Sequence, residues 1–320
     1  LTPLHLAADS HGAVVSLLLD AGADPNIIEP SGIAPIAIAV STNSIGIVEA
    51  LIANGATIAV SARNGGPLIH DAMADDRLPL AELLLANGAD PLATNASGLA
   101  AIHVAANNGA PQTVRLLLSN GVSPNARTTA GFEALLYASV SGNAAPTAQV
   151  LLEAGADPDV ADAAGSTPLH FAVRNRNQQL VSLLLRYQAP VNRQDEDRKT
   201  PLHAAVDNAD GQIVAALLDA RADPNTVDTS RGTPLLVAVT NRYETIGQRL
   251  LQAGADPNVA GADGRSPLLV ALAADTSVLA TALLGAGANP NVAESDGTTP
   301  LMVAATRDDQ GLVGNLLQFG

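Results

Sequence analysis

Residues 2–7 read Thr2-Pro3-Leu4-His5-Leu6-Ala7, and the phrase returns as Thr167-Pro168-Leu169-His170 and Thr200-Pro201-Leu202-His203. Altered copies lie between these three: Ala34-Pro35-Ile36-Ala37, Leu68-Ile69-His70, Ala101-Ile102-His103 and Ala134-Leu135-Leu136. Three more follow as Thr233-Pro234-Leu235-Leu236, Ser266-Pro267-Leu268-Leu269 and Thr299-Pro300-Leu301-Met302. Pro3 and Pro300 lie 297 residues and nine steps apart, a mean period of 33. In every copy an alanine stands two places after the His slot, from Ala7 to Ala304. A fixed period of this length marks a repeat architecture in which each repeat is one supersecondary unit. The 320 residues are therefore expected to form one array, although length alone would suggest two domains.

The local chemistry of one period predicts two helices. Thr before Pro is an N-cap followed by proline at the first helical position, where a missing N–H costs nothing. A second helix carries a Val-x-x-Leu-Leu stripe, as in Val114/Leu117/Leu118, Val181/Leu184/Leu185 and Val214/Leu217/Leu218. That spacing gathers the apolar side chains on one helix face. Glycine then ends eight of the ten second helices, as Gly22, Gly55, Gly88, Gly121, Gly155, Gly254, Gly287 and Gly320. It suits the left-handed position that closes a helix. Gln188 and Arg221 replace it in the other two, so strain is expected there. Turns such as Gly22-Ala23-Asp24-Pro25-Asn26 link the units, with Asp and Asn side chains free to bond nearby amides. Repeat eight puts Gly247 in the valine slot, which predicts a weak layer.

Ten such phrases in register resemble the ankyrin repeat over the whole chain. The resemblance implies an all-α solenoid of helix-turn-helix pairs with short β-hairpin loops. It implies that His5, His70, His103, His170 and His203, which share one slot, are structural and bond near the capping threonine. It also implies that hairpin tips and the exposed ends of the first helices form a concave groove for another protein, inside the cell and in the cytoplasm. The array starts without a preceding hairpin and stops at Gly320, so residues 1–320 are expected to be one array cut from a longer protein, with flanking repeats or domains.

Composition narrows the chemistry. Asp and Glu number 31 against 16 Lys and Arg, a net charge of −15 that disfavours nucleic acid and favours a partner with a basic segment. Apolar runs stay under ten residues, too short to insert in a membrane. With no cysteine, thiolate metal sites and cysteine nucleophiles are excluded. Three Phe, three Tyr and no Trp point to thin layers of Ala, Leu, Val and Ile. No phosphate-binding, nucleophile-elbow or His-Glu-x-x-His pattern occurs, so no enzyme, cofactor or metal is expected. His11, outside the shared slot, and the pairs Asp75/Asp76 and Asp308/Asp309 are expected to be solvated.

The remaining function is binding by side chains that the repeat leaves free to vary. At the tips these include Ala62/Arg63, Phe132, Asp195, Glu196, Asp197, Thr229/Ser230 and Glu294/Asp296. At the ends of first helices they include Asn107/Asn108, Arg174, Asn175, Asp207, Asn208 and Asn241, with Tyr243 just beyond. Phe132 with Arg174, Asn175, Asp207, Asn208, Asn241 and Tyr243 mixes aromatics, arginine and amides as binding hot spots do, and Asp195-Glu196-Asp197 adds an acidic patch. The expectation is a non-catalytic interaction scaffold or adaptor. Its alternatives are the recruitment or regulatory arm of a larger enzyme or membrane channel, or a purely elastic element.

Overall fold

A computed structural model describes residues 1–229, 232–293, 297–307 and 309–320, Ala74 by its backbone alone. They form two compact units, Leu1–Val160 and Ala161–Gly320. The first runs α1 (Pro3–Ala7), α2 (Gly12–Asp20), α3 (Pro35–Ser41), α4 (Ile45–Ala53), α5 (Leu68–Ala72), α6 (Leu78–Ala86), α7 (Ala101–Asn107), α8 (Pro111–Ser119), α9 (Ala134–Val140) and α10 (Ala144–Glu153). The second runs α11 (Pro168–Arg174), α12 (Gln178–Arg186), α13 (Pro201–Asp207), α14 (Gly211–Asp219), α15 (Pro234–Thr240), α16 (Glu244–Gln252), α17 (Pro267–Ala273), α18 (Ser277–Gly285), α19 (Pro300–Thr306) and α20 (Gln310–Phe319). Odd-numbered helices are the first of each pair and even-numbered the second. A 3₁₀ turn, Ala74–Asp76, precedes α6.

Helices of five to ten residues are too short to hold in isolation, so packing must sustain them. Each first helix packs on its own second helix and on the first helix of the next pair in its unit. The alanine of the repeat lies at these contacts and is at most 4 % exposed in every copy, which leaves no room for a larger side chain. Val114, Leu117, Val181, Leu184, Val214 and Leu217 are fully buried, whereas the last leucine of the stripe, Leu118, Leu185 or Leu218, is only half-buried.

Helix ends follow the expected chemistry. Thr233 and Ser266 accept from the amides of Leu236 and Leu269 with their hydroxyls. At the other end, Gly22 sits at φ 83° and the next amide, of Ala23, donates to the Leu18 carbonyl. Gln188 at φ 60° and Arg221 at φ 65° hold the same left-handed position. The strain expected of these two residues is present.

The loops between pairs are hairpin turns without strands among the described residues. Their pairing is reduced to single bridges, Ser61–Pro67, Thr94–Ala100 and Arg127–Glu133. Among the described residues the tips are closed by two amides, as Thr128 N–H donating to Phe132 O with Gly131 N–H to Thr128 O, and Asp195 N–H to Lys199 O with Arg198 N–H to Asp195 O. Such loops are too short for a ladder. Below them, the turn asparagines bond forward. Asn26 donates to Gly55 O and accepts from Thr57 N–H, and Asn225 does the same with Gly254 O and Asp256 N–H.

Gly247 does not leave the weak layer expected of it. A Cβ there would lie 2.6 Å from Leu279 Cδ2, so the side chain of the following repeat already fills the space.

Candidate functional site

The shared histidines are structural in four of five copies and only partly bonded in the fifth. Backbone N–H groups of Thr2, Ala100, Thr167 and Thr200 donate to Nδ1 of His5, His103, His170 and His203, each at 3.2 Å. On the far side of each ring, Nε2 lies 2.9–3.2 Å from a carbonyl of the next hairpin: Ile33, Ala126, Lys199 and Gly232. A carbonyl only accepts and an amide only donates, so each ring is neutral with its proton on Nε2. Burial pushes the His103, His170 and His203 imidazoles below their usual range, against the raising effect of those carbonyl bonds. Both nitrogens are occupied, which leaves none of these rings as a base. His70 keeps the carbonyl bond, to Ala93 O at 3.0 Å, but its Nδ1 has no partner. Pro67 stands at its N-cap with neither an amide hydrogen nor a hydroxyl. His11 is exposed, at the start of α2.

In the second unit, several variable residues are held by one another. Asp195 is 7 % exposed and accepts from the amides of Asp197 and Lys199 within its own tip. Its other oxygen takes Arg174 Nη2 at 2.6 Å, while Arg174 Nη1 donates to Ser166 Oγ. The acid expected in an open patch is therefore a buried turn-former, and only Glu196 and Asp197 stand exposed there. Lys199 Nζ meets Asp207 Oδ2 at 2.9 Å. Asn208 donates to Val173 O and Asn241 to Val237 O, so both amides secure helix ends. Asn175 is exposed, and Tyr243 is half-buried at the start of α16.

In the first unit, Phe132 is half-buried at its tip, its amide donating to Thr128 Oγ1. Beside it, Glu133 occupies the capping slot of α9, 3 % exposed, and pairs with Arg127 Nη2 at 3.0 Å. Burial pushes the Glu133 carboxyl up, although Arg127 opposes this. Asp75 and Asp76 are not merely solvated. Asp75 pairs with Arg77, and Asp76 accepts from the Thr113 and Gln112 amides at 2.8 and 3.2 Å, capping α8 of the next repeat. Pro111 has no amide hydrogen, so these are the first free donors of that helix.

Asp71 lies at neither a tip nor a first-helix end. Burial raises its carboxyl, with Arg77 and Asn64 acting in the opposite sense. It lines a polar cavity of about 530 Å³ with Arg63, Asn64, His70, Asn95 and Asn108. The signal was available, since Asp71 follows the His slot, where the other copies hold Leu6, Ile38, Val104, Tyr137, Phe171, Ala204, Val237, Val270 and Val303.

Ser230, Glu294, Asp296 and Asp308 lie outside the described residues. Asp309 caps α20 through the Leu312 amide, and this bond leads the lowering of its carboxyl. Among the described residues no helix is long and apolar enough to cross a membrane, and no three His, Asp or Glu converge as metal ligands. A family model described as ankyrin repeats (3 copies) matches residues 68–162, 135–228, 169–261 and 235–320. A second, described as ankyrin repeat, matches residues 1–29. No curated protein matches the chain.

Proposed function

Because the chain belongs to the ankyrin-repeat family, whose repeats serve as generic protein-interaction modules and are typically non-catalytic, we propose that it is a scaffold or adaptor. It captures a partner segment, with a basic stretch, along the face lined by hairpin tips and first-helix ends. The observation that carries this reading is the network of the second unit. Arg174–Asp195 and Lys199–Asp207 fix the face internally, while Glu196, Asp197, Asn175 and Asn241 remain exposed beside them. A face set before binding loses less entropy on capture, and its exposed acids favour encounter with a basic segment. Phe132 offers a half-buried aromatic on the corresponding face of the first unit. We place this activity in the cytoplasm.

The test is capture from a lysate of the source cells by the immobilised chain, comparing wild type with Glu196→Lys/Asp197→Lys and with Tyr243→Ala. A partner with basic segments, held by the wild type and released by the charge reversal, supports the reading. The same partner held equally by all three chains overturns it. Arg174→Glu is unsuitable, because it would set a second carboxylate against the buried Asp195.

A further inference from the structure

Repeat three breaks the pattern of its neighbours at several adjoining points. Pro67 takes the cap position, where the other copies hold threonine, serine, alanine or glutamate, Asp71 enters a slot that is apolar in every other copy, and Asp75 adds a left-handed residue, at φ 53°, just before the one that six other copies share with Asp76. Departures from local rules that cluster in one place are expected at functional sites. Of these residues, Asp71 lines the cavity of about 530 Å³, with His70 and Arg77 from the same repeat.

The inner wall of that cavity supplies acceptors that lack donors. One Asp71 oxygen accepts from Asn64 Nδ2 at 3.0 Å, and the other has no hydrogen bond among the described residues. The adjacent cation, Arg77, is already engaged by Ser41 O and Asp75 Oδ2. His70 is 5 % exposed, and its Nδ1 is a buried lone pair without a partner. Nδ1 can only accept while Nε2–H is committed to Ala93 O. The unmet acceptor and the half-buried carboxylate both cost stability, and a donor-bearing guest at Asp71 would relieve the carboxylate's share, while Nδ1 itself is sealed from solvent. At the rim, Arg63 is exposed and makes no hydrogen bond or ion pair among the described residues, so it is available to the carbonyls of a bound backbone.

We infer that this cavity is an anchor pocket for an arginine or lysine side chain of the partner segment, with Asp71 as the counter-charge. The inference rests on the proposed capture of a basic segment and adds where that segment is gripped. The volume suits one long side chain together with its flanking backbone. The chain's net charge of −15 favours a cation over an acidic guest, and of the two arginines that line the cavity Arg77 is already paired with Asp75, which leaves Arg63 at the rim.

The test titrates the isotope-labelled chain with N-acetyl-arginine amide, N-acetyl-lysine amide and N-acetyl-aspartate amide, and follows backbone amide shifts. The expected result is saturable shifts from the two cationic probes centred on residues 64, 71, 95–97 and 108. Asp71→Val should weaken them at least tenfold while raising the thermal midpoint, because it restores the apolar slot. Shifts led by the acidic probe, shifts centred elsewhere, or unchanged affinity in Asp71→Val would each overturn the pocket. If the pocket fails while Glu196→Lys/Asp197→Lys still releases the captured partner, the scaffold reading stands without it. If the charge reversal also leaves capture intact, that reading falls as well.

Discussion

Leu279 Cδ2 lies where a side chain on Gly247 would begin, 2.6 Å from the position of its missing Cβ. One repeat thus compensates a deletion in the repeat before it. Leu279 is fully buried, so it has nowhere to retreat. Gly247→Val, which restores the common residue of the stripe, is expected to lower stability by about 1–3 kcal/mol through overpacking. Urea unfolding would measure this, and adding Leu279→Ala should recover part of the loss. A stabilised single variant would show that the space is empty.

Gln188 and Arg221 hold a conformation that glycine takes at the matching helix ends. Left-handed backbone costs an ordinary residue roughly 1 kcal/mol. Gln188→Gly and Arg221→Gly should therefore each raise stability by about 0.5–1 kcal/mol, despite the greater freedom glycine brings to the unfolded chain. The two changes lie on different helix ends, and their effects on the unfolding midpoint should add.

Pro67→Thr would give α5 the cap that α13 has from Thr200. Its amide and hydroxyl would both reach His70 Nδ1, and satisfying one buried acceptor is worth on the order of 1 kcal/mol. The melting temperature should rise, and the His70 imidazole resonances should report a hydrogen bond to Nδ1. An unchanged ring signal would mean that the proline is not what leaves Nδ1 bare.

Burial lowers the pKa of His70, His103, His170 and His203. The sign follows from the proton count. Just below the ordinary histidine value of about 6.5, the unfolded chain binds protons that the folded one refuses, so stability rises with pH. This contribution is complete above about 6.5 and is lost as pH falls from there toward the lowered folded values. Asp71 and Glu133, whose carboxyls burial raises, act oppositely in the carboxylate range. Urea midpoints at pH 7.5 and 5.5 should differ in favour of the higher pH, and His170→Gln should reduce the difference. Equal midpoints would contradict the neutral rings.

Helix ends were legible within one period, although the pairing of Asp75 with Arg77 is also local and was not foreseen. Thr233 caps its helix, Gly22 closes one, and Gln188 takes on strain, because each depends on residues within a few places along the chain. The other misjudged residues were those whose environment comes from elsewhere. Gly247 is filled by Leu279 from the following repeat, and Asp76 caps a helix more than thirty residues away. Asp195 was taken for part of an open patch because nothing nearby in sequence announces Arg174 folding onto it. Asp71 differs from these, since its deviation lies inside a structural slot and away from the tips and helix ends.

Where a turn ends in asparagine, as at Asn26, Asn125, Asn225 and Asn258, it couples its repeat to the next through the same fittings. Asn225 grips Gly254 and Asp256, and Asn258 grips Gly287 and Asn289 in the same way. Removing residues 226–258 would bring Asn225 against the Gly287 and Asn289 fittings, and the joint could close as before. A whole period between two such asparagines can therefore be spliced in or out without designing a new junction. Such a chain can change its reach by duplication while its couplings remain constant.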